Sequence, residues 1–502
     1  MRKASLFSSL PPRPACSLVM ALLTLACGST SPDSQTPPAP DVVCTAPVAL
    51  VDVSGSSNVV GTGTADSCTE AALSAALETA GKIHFNCGSG PVVIPVTHEH
   101  AVDQDTVLDG AATVTLDGGG STRIFEVAIG VSLTLQRLTF QHASVADEGS
   151  VVHAPYEGVK LTVVDCVFKD NACTDVGQDI GGAIATYEAD LVISGTVFSG
   201  NRGSNGGAIR VISSNLDIVN TTFSGNVATG TGGNASGGEG GIGGAVYVDA
   251  ASDKRTPKLT LCGDTFEDNQ AGIQGGGVFF FMHPGQSASV ASSAFTANRI
   301  TGDDGLGGGL YAQGGPLAVS ATTFAKNVST LHAGGVFLGS DTPATFTNCT
   351  VEGNTASLTD GNAGGLWTGD EEVSVTSCTL ANNQAHYGPA IFGGDNTTLT
   401  ANVIANNGGN QYGGTNCAGT YGDGGGNVEF ITGESNSDTP CASGEAYGDP
   451  KLSDLTDNGG STQTMAIGAG GAADGAAGSA CPDTDQRGEA RAAPCDSGAF
   501  EL

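Results

Sequence analysis

The sequence has few cations, few aromatic residues and no long hydrophobic run. Of 502 residues, 18 are Lys or Arg against 51 Asp or Glu, so the formal net charge is −33. Nucleic acid and anionic lipid head groups repel such a polyanion, and neither is expected as a partner. Aromatic residues make up only 5%, and 77 glycines disfavour a helical protein, while a hydrophobic content of 39% disfavours disorder. The composition indicates a β-rich chain with many tight turns.

Several signatures of metal sites and catalysis are also missing. No CxxC spacing occurs, which disfavours a zinc site. The Gly-His-Gly and Arg-x-Lys motifs of polygalacturonase-type hydrolases are absent. The glycine-rich stretch VFSGNRGSNGGAI (197–209) is followed by neither Lys-Ser/Thr nor a helical pattern, so it is not a phosphate loop. No cofactor is therefore expected. Calcium binding by Asp-rich turns remains an alternative to the simpler interpretation, in which the acidic residues form a solvated surface.

The N-terminus resembles a bacterial export signal. The apolar run 18–26 follows three cations and is too short to span a bilayer, so residues 1–26 are predicted to be a signal peptide. Leu23-Thr-Leu-Ala-Cys27 resembles a lipobox, which implies lipidation of Cys27; cleavage without lipidation is the alternative. Residues 27–43 are predicted to be a flexible tether.

The chain contains 14 cysteines, of which twelve remain once Cys16 and Cys27 are set aside. An even number in an exported chain predicts disulfides. Local pairs Cys417/Cys441 and Cys481/Cys495 are plausible, whereas Cys349 and Cys378 are predicted to stack as buried thiols rather than to bond.

An F-x-x-N motif recurs along the chain and reveals a repeat. From Phe140 to Ile404 the period is about 29 residues, which is typical of a solenoid. The repeat positions with Phe and Asn are Phe168, Asn171, Phe198, Asn201, Phe223, Asn226, Phe266, Asn269, Phe295, Asn298, Phe324 and Asn327.

Each F-x-x-N ends a short strand pattern, and a glycine corner with a second strand follows it. The corner glycines include Gly207, Gly244, Gly335 and Gly365. This order predicts an all-β fold, a right-handed parallel β-helix, with handedness taken from the general preference for right-handed crossovers and from the resemblances given below. Phe residues would form an internal column, and Asn residues a ladder at a corner where Asn tolerates left-handed backbone.

The solenoid needs protected ends, and the sequence divides accordingly. Residues 44–130 are predicted to form an N-terminal cap and the first coils, including a short amphipathic helix from Ser67 to Gly81. The repeat β-helix occupies 131–410, with a flexible excursion at 230–244. Residues 411–439 form an irregular final coil and loop, and 440–502 a C-terminal cap.

The alternation of F-x-x-N with GGA-Ile/Val over about 130–410 resembles the repeats of the polymorphic outer membrane protein family. That resemblance implies a surface adhesin, although the roughly 90 residues after the last repeat leave no room for the family's transmembrane barrel. Residues 440–502, with DPKL (449–452), DNGGSTQT (457–464), DQRG (485–488) and CDSGAFE (495–501), resemble the terminal domain of choice-of-anchor Q proteins. This second resemblance implies a secreted surface protein.

Candidate catalytic and binding residues each have a simpler interpretation. Asp303 and Asp304 form the only adjacent Asp pair within the coils, but they suit a turn better than a glycosidase pair. His98-Glu-His100 could share a metal, but no third ligand is identifiable and a surface strand is favoured. Trp367 suits packing better than sugar stacking.

The sequence thus predicts an exported, lipid-anchored bacterial protein of the outer membrane or cell surface, or a secreted one, with a structural or adhesive role and no enzymatic activity. Its expected partners are the membrane, through Cys27, and a host, cell-surface or glycan receptor. The alternative is a carbohydrate-active β-helix enzyme, a lyase or glycoside hydrolase.

Overall fold

The computed structural model describes residues 44–175, 181–230, 241–250, 252, 255–409, 415–434 and 439–502. The predicted signal peptide, Cys27, the tether and most of the excursion at 230–244 lie outside these residues. In the described part, no helix has both the length and the apolar character needed to cross a membrane.

Three parallel sheets, called here sheets 1, 2 and 3, run along the solenoid. In the described residues, the 26 strands of sheet 1 are Asn58–Val60, Gly81–Phe85, Val92–Pro95, Thr106–Asp117, Ser132–Gln141, Lys160–Val164, Val167–Lys169, Asp190–Ser194, Val197–Ser199, Asn215–Val219, Thr222–Ser224, Lys258–Cys262, Thr265–Glu267, Ser287–Ala291, Ala294–Thr296, Leu317–Ser320, Thr323–Ala325, Ala344–Thr347, Thr350–Glu352, Val373–Thr376, Thr379–Ala381, Thr397–Thr400, Val403–Ala405, Gly422–Asp423, Val428–Phe430 and Ala446–Tyr447. The 11 strands of sheet 2 are His100–Val102, Phe125–Val127, Val152–Ala154, Ile184–Tyr187, Ile209–Ile212, Val246–Asp249, Val278–Phe281, Leu310–Gln313, Val336–Leu338, Leu366–Trp367 and Ile391–Phe392. The 6 strands of sheet 3 are Ser144–Val145, Ala172–Cys173, Arg202–Gly203, Val227–Ala228, Gln270–Ala271 and Arg299–Ile300.

One coil passes through all three sheets in turn. In a representative coil, Asp190–Ser194 and Val197–Ser199 lie in sheet 1, Arg202–Gly203 in sheet 3 and Ile209–Ile212 in sheet 2. Every strand pairs in parallel with its equivalent one coil away, as Leu191 does with Leu216. The predicted parallel β-helix is therefore confirmed, while the two-residue strands of sheet 3 are an element that the sequence pattern did not reveal.

The phenylalanines form a continuous column inside the solenoid. Phe140, Phe168, Phe198, Phe223, Phe266, Phe295 and Phe324 are fully buried, and successive ring centroids lie 4.6 to 5.0 Å apart. This separation matches the spacing of paired strands, because each ring sits on the equivalent residue of the next coil. The column therefore stabilises coil stacking through both burial and ring contact.

The asparagines form a hydrogen-bonded ladder. From Asn171 to Asn407, each Nδ2 donates to Oδ1 of the next member at 2.9 to 3.0 Å and to the carbonyl of the preceding coil's strand, as Asn201 does to Phe168 at 3.0 Å. The members are Asn171, Asn201, Asn226, Asn269, Asn298, Asn327, Asn354, Asn383, Asn407 and Asn416. The expected left-handed backbone is not at the ladder residues but one residue earlier, as at Asp170 (φ 55°) and Gly200 (φ 65°). The left-handed residue makes the turn, and the asparagine side chain forms hydrogen bonds with backbone groups of the neighbouring coils.

Neighbouring coils approach each other closely at the corner glycines. A Cβ at Gly207 would lie 2.2 Å from the carbonyl oxygen of Gly244, and one at Gly244 would lie 1.9 Å from that of Gly276. Gly335 and Gly365 likewise face the next coil's backbone, at 2.6 Å each. Positive φ instead belongs to the preceding residue in the first two corners, Gly206 and Gly243. No side chain fits between the coils at Gly207 and Gly244, whereas alanine occupies equivalent positions of the column to which Gly335 and Gly365 belong, at Ala208, Ala245 and Ala390.

A helix lies against the first coils, but it begins later than predicted. The helix spans Glu70–Thr79, and its N-cap is Thr69, whose side chain accepts a hydrogen bond from the Ala72 amide. Ser67 instead ends a 3-10 turn, Ala65–Ser67, in which its hydroxyl donates to the Thr64 carbonyl. The helix ends before Gly81, which already begins a strand. The buried Leu73 and Ala76 attach the helix to the core.

The N-terminal arm, residues 44–57, runs along the outer face of sheet 1. Cys44 is disulfide-bonded to Cys262, and its backbone exchanges two hydrogen bonds with the Asn220 side chain, at 2.8 and 2.6 Å. Val51 exchanges two more with Gln136, at 2.9 Å each. Gln136 and Cys262 belong to one register column four coils apart. The arm therefore crosses these coils in an extended conformation.

The C-terminal arm, residues 449–502, folds back along the same sheet. Gln486 bonds to Thr323 and Thr350, and the Ala499 amide donates to Thr379, so the arm follows one register column of outward threonines. Phe500 packs in a cluster that includes Val403 and Val428 of the same column. The predicted terminal segment thus contacts the flank of the later coils.

Eight cysteines form four disulfides in the described residues: Cys44–Cys262, Cys68–Cys87, Cys417–Cys441 and Cys481–Cys495. The two local pairs predicted from sequence are among them. Cys349 and Cys378 are free and buried, and the Cys349 amide donates to the Cys378 sulfur at 3.3 Å, in agreement with stacked thiols. Burial raises the pKa of the Cys378 thiol well above its ordinary value.

The ladder ends on a pair of carboxylates. Asn416 donates to Glu429 at 2.8 Å, and Glu429 is fully buried beside Glu445. Burial, hydrogen bonding to Glu429 and its negative charge raise the pKa of Glu445 to about 9. Glu445 is thus neutral at pH 7.

We expect Glu445→Gln to reduce the loss of stability that the protein undergoes as pH rises from about 4.5 to about 9. Because the pKa of Glu445 is higher in the folded state than in the unfolded state, its contribution is complete below about pH 4.5 and is lost as pH rises through about 9. At pH 9 the free energy of unfolding of the variant should be higher than that of the parent by on the order of 2 kcal/mol. This value is reduced from the full linkage value because Glu445 is partly exposed. Urea unfolding from pH 5 to 9 measures this difference. The exposed Glu434→Gln is the control, and parallel stability profiles for the parent and Glu445→Gln would contradict the raised pKa of Glu445.

Candidate functional site

The adjacent carboxylates Asp303 and Asp304 lie in an exposed turn. Asp304 has a left-handed backbone (φ 55°), and the turn precedes the glycine corner that leads into sheet 2. The structure therefore places both residues as the turn interpretation predicts. Asp303 and Asp304 therefore do not form the pair of carboxylates facing one groove that a glycosidase requires.

An aromatic stack covers the outer face of sheet 2. Successive coils contribute Tyr247, Phe279, Tyr311, Phe337, Trp367 and Phe392, with ring centroids 4.6 to 5.4 Å apart. Trp367 is stacked between Phe337 and Phe392 and also contacts His332, so both indole faces are occupied. Sugars stack on ring faces, and the packing interpretation of Trp367 is therefore the one the structure supports.

This stack was not predicted from the sequence, although the sequence contains a signal for it. In each repeat the aromatic residue directly follows the inward apolar residue after the glycine corner, as Tyr247 follows Val246. Alignment on the glycine corners places all six in one column. Because a strand alternates its faces, that column must point outward.

The same outward column is charged in the earlier coils. Glu126, His153 and Arg210 belong to it, with Ala185 between the last two. His153 Nδ1 lies 2.7 Å from Glu126 Oε2, and Arg210 donates to Glu148 at 2.6 Å. Burial alone would lower the pKa of His153, but Glu148 and Glu126 raise it above its ordinary value.

Arg123 completes this charged cluster from the neighbouring loop. It is 9% exposed and pairs with Glu99 at 2.7 Å and with Asp147. Burial opposes its charge, yet the hydrogen bonds that Arg123 donates to Asp147 and Glu99 raise its pKa. Since positive and negative groups compensate one another, the cluster cross-links the first coils.

A shallow groove lies on the outer face of sheet 1. Its volume is about 510 Å³, and a column of small outward residues, including Thr260, Ser289 and Thr345, forms its floor. Its charged lining residues are Lys258 and Glu372. With one carboxylate, the groove lacks the pair needed for glycoside hydrolysis.

The two histidines of the His98-Glu-His100 motif lie together at the beginning of the solenoid. His98 Nδ1 lies 3.0 Å from Glu70 Oε1 of the helix, and His100 Nε2 lies 3.8 Å from the same oxygen. The prediction of a surface strand is wrong for His100, which begins a strand of sheet 2 and is only 5% exposed. It is also wrong that no third ligand can be identified, because Glu70 is brought there by the helix.

Comparison with known proteins supports the fold. Residues 281–432 match the family model described as right handed beta helix region. The predicted fold class, an all-β right-handed parallel β-helix of about 12 turns, is confirmed. No curated protein and no solved structure matches the chain. The matched family description specifies the architecture, which is shared by structural proteins and by enzymes.

Proposed function

We propose that this protein is an exported, lipid-anchored bacterial surface protein that acts as a structural or adhesive rod. The observation that carries the proposal is the covalent bracing of the solenoid by four disulfides, one of which joins residues 218 apart in sequence. Disulfides persist in oxidising compartments, which supports export. The lipobox-like sequence before Cys27 supports an anchor.

The distribution of side chains supports a scaffold. Phe, Asn and Gly of the repeat serve coil stacking, and the chain's two arms occupy much of the outer face of sheet 1. The resemblance of the repeats to the polymorphic outer membrane protein family, and of the C-terminal arm to choice-of-anchor Q proteins, favours a place on the cell surface. A glycan or protein receptor would contact the exposed turns, such as the one at Asp303 and Asp304.

Cys27→Ser tests the anchor. We expect the parent to fractionate with membranes and to be labelled on intact cells by an impermeant amine reagent. The variant should move to the soluble fraction because it lacks the acylation site. Cys16→Ser, within the predicted signal peptide, is the matched control. Membrane association that survives Cys27→Ser would contradict the lipid anchor.

A polysaccharide array, read for both binding and release of fragments, tests the role. Binding without turnover supports an adhesin with a glycan receptor. Released fragments would overturn the scaffold role and favour a carbohydrate-active enzyme.

A further inference from the structure

We propose that Glu70, His98 and His100 form a binding site for a divalent transition-metal ion of the zinc type, which joins the N-terminal helix to the first coil. This inference goes beyond the surface role proposed above and does not depend on it.

The fold brings the three residues together from two elements. Glu70 is the first residue of the helix, directly after the N-cap Thr69. His100 pairs in register with Phe125 and begins an inward column of sheet 2 that continues through Val152, Ile184 and Ile209. His98 lies at a bend just before this strand, and its ring centroid is 4.7 Å from that of His100. The helix therefore places its first carboxylate over two imidazoles.

The distances suit a single ion. The donor atoms of the three residues all lie within 4.8 Å of one another, with the Glu70 oxygen 3.0 Å from His98 Nδ1 and 3.8 Å from His100 Nε2. Zinc binds imidazole nitrogen and carboxylate oxygen at about 2.0 to 2.2 Å, so donors of one ion are separated by at most about 4.4 Å. The separations of His98 Nδ1 and His100 Nε2 from the Glu70 oxygen both fall within this limit.

The ring nitrogen of His100 provides an independent indication of a ligand. His100 is 5% exposed, and its Nε2 atom is buried without a hydrogen-bond partner. A buried polar atom without a partner is unfavourable, and such atoms are rare in folded proteins. An ion between Nε2 and the Glu70 oxygen would satisfy it. The inward column otherwise continues with apolar residues, so packing alone does not require a histidine here.

Glu70 is held in position by hydrogen bonds outside the site. Its carboxylate accepts from the Thr97 amide and hydroxyl, at 2.6 Å each, and from the His98 amide at 3.2 Å. Such outer hydrogen bonds orient a metal ligand and reduce the cost of ordering it.

A cavity beside the histidines leaves one side of the ion open. It has a volume of about 420 Å³ and is lined by Glu78, Glu99 and Asp103 as well as by the two histidines. These carboxylates favour entry of a cation. Two imidazoles and one carboxylate are a donor set that suits zinc, whereas calcium requires six to eight oxygen ligands. The missing CxxC motif therefore excludes only a cysteine-based zinc site.

The experiment is a metal titration of the purified full chain after treatment with chelator. We expect one equivalent of zinc to bind, cobalt to give visible absorption bands at the same site, and zinc to raise the thermal midpoint. His98→Ala and Glu70→Gln should each weaken zinc binding by more than about tenfold. Calcium should neither bind at this site nor compete with zinc.

The matched control is His142→Ala. His142 also faces a carboxylate, Asp117, at 3.2 Å, and its side chain is 49% exposed against 57% for His98. Because His98 is exposed, its replacement should leave the circular dichroism spectrum unchanged, so that loss of zinc is not loss of folding. The proposal is overturned if micromolar zinc does not bind, if both site variants bind as the parent does, or if calcium displaces zinc.

Discussion

Replacement of both Cys44 and Cys262 with serine is expected to lower the free energy of unfolding by about 5 kcal/mol. The disulfide closes a loop whose ends are 218 residues apart. Loop-closure entropy rises with the logarithm of loop length, so this cross-link restricts the unfolded chain more than any other disulfide of the described residues. Loss of the bond should also release the N-terminal arm from sheet 1. Denaturant unfolding under oxidising conditions measures the loss, and hydrogen exchange at residues 44–57 measures the release.

The matched control is the corresponding serine pair at Cys68 and Cys87, which are 19 residues apart. Its expected loss is about 3 kcal/mol. Equal losses for the two pairs would contradict the loop-length argument. An arm that stays protected from exchange without Cys44 would show that the hydrogen bonds to Asn220 and Gln136 suffice to hold it.

Asn269→Ala should lower stability by about 4 kcal/mol. Asn269 is fully buried, and its amide donates to Asn298 at 2.9 Å and to the Phe223 carbonyl at 3.0 Å. Its Oδ1 accepts from both the side-chain and backbone nitrogens of Asn226, at 3.0 Å each. Removal leaves these partners buried without bonds, which costs more than the bonds themselves contribute.

Coils contact mainly their neighbours, so the damage should be local. Hydrogen exchange is expected to accelerate most at Asn226 and Asn298, on either side of the substitution, and to fall off towards both ends. Asn396→Ala is the control, because Asn396 is exposed and donates one hydrogen bond, to the Asp370 carbonyl; its cost should stay below about 1 kcal/mol. An equal loss for the two variants would mean that the ladder does not add to coil stacking.

The periodic part of this molecule can be predicted from sequence because stacking turns a repeat into columns. Once the period of about 29 residues is found, Phe198 must lie beside Phe168, and the register of sheet 1 follows. The same alignment contains the outer aromatic stack. That stack could have been predicted from the residue after each inward position, Tyr247 being the first.

The aperiodic parts could not be predicted in the same way. The two arms are extended, and their partners, such as Gln136 for Val51 and Thr379 for Ala499, are 85 and 120 residues away in sequence. No spacing rule connects such positions. Glu70 illustrates the same limit, since its distance from His98 depends on how the helix packs on the first coil.

The attachment of Cys44 determines how tension enters the protein. A pull on the chain from the N-terminal side of residue 44 passes through the sulfur–sulfur bond into the coil of Cys262, at the flank of the solenoid. The coils between residues 58 and 249 lie within the closed covalent loop and carry none of this load. They would keep their fold under a force that unfolds the later coils, because the disulfide transmits the force past them. Mechanical resistance therefore belongs to the coils after Cys262, and the first coils with their helix and histidines are shielded from strain.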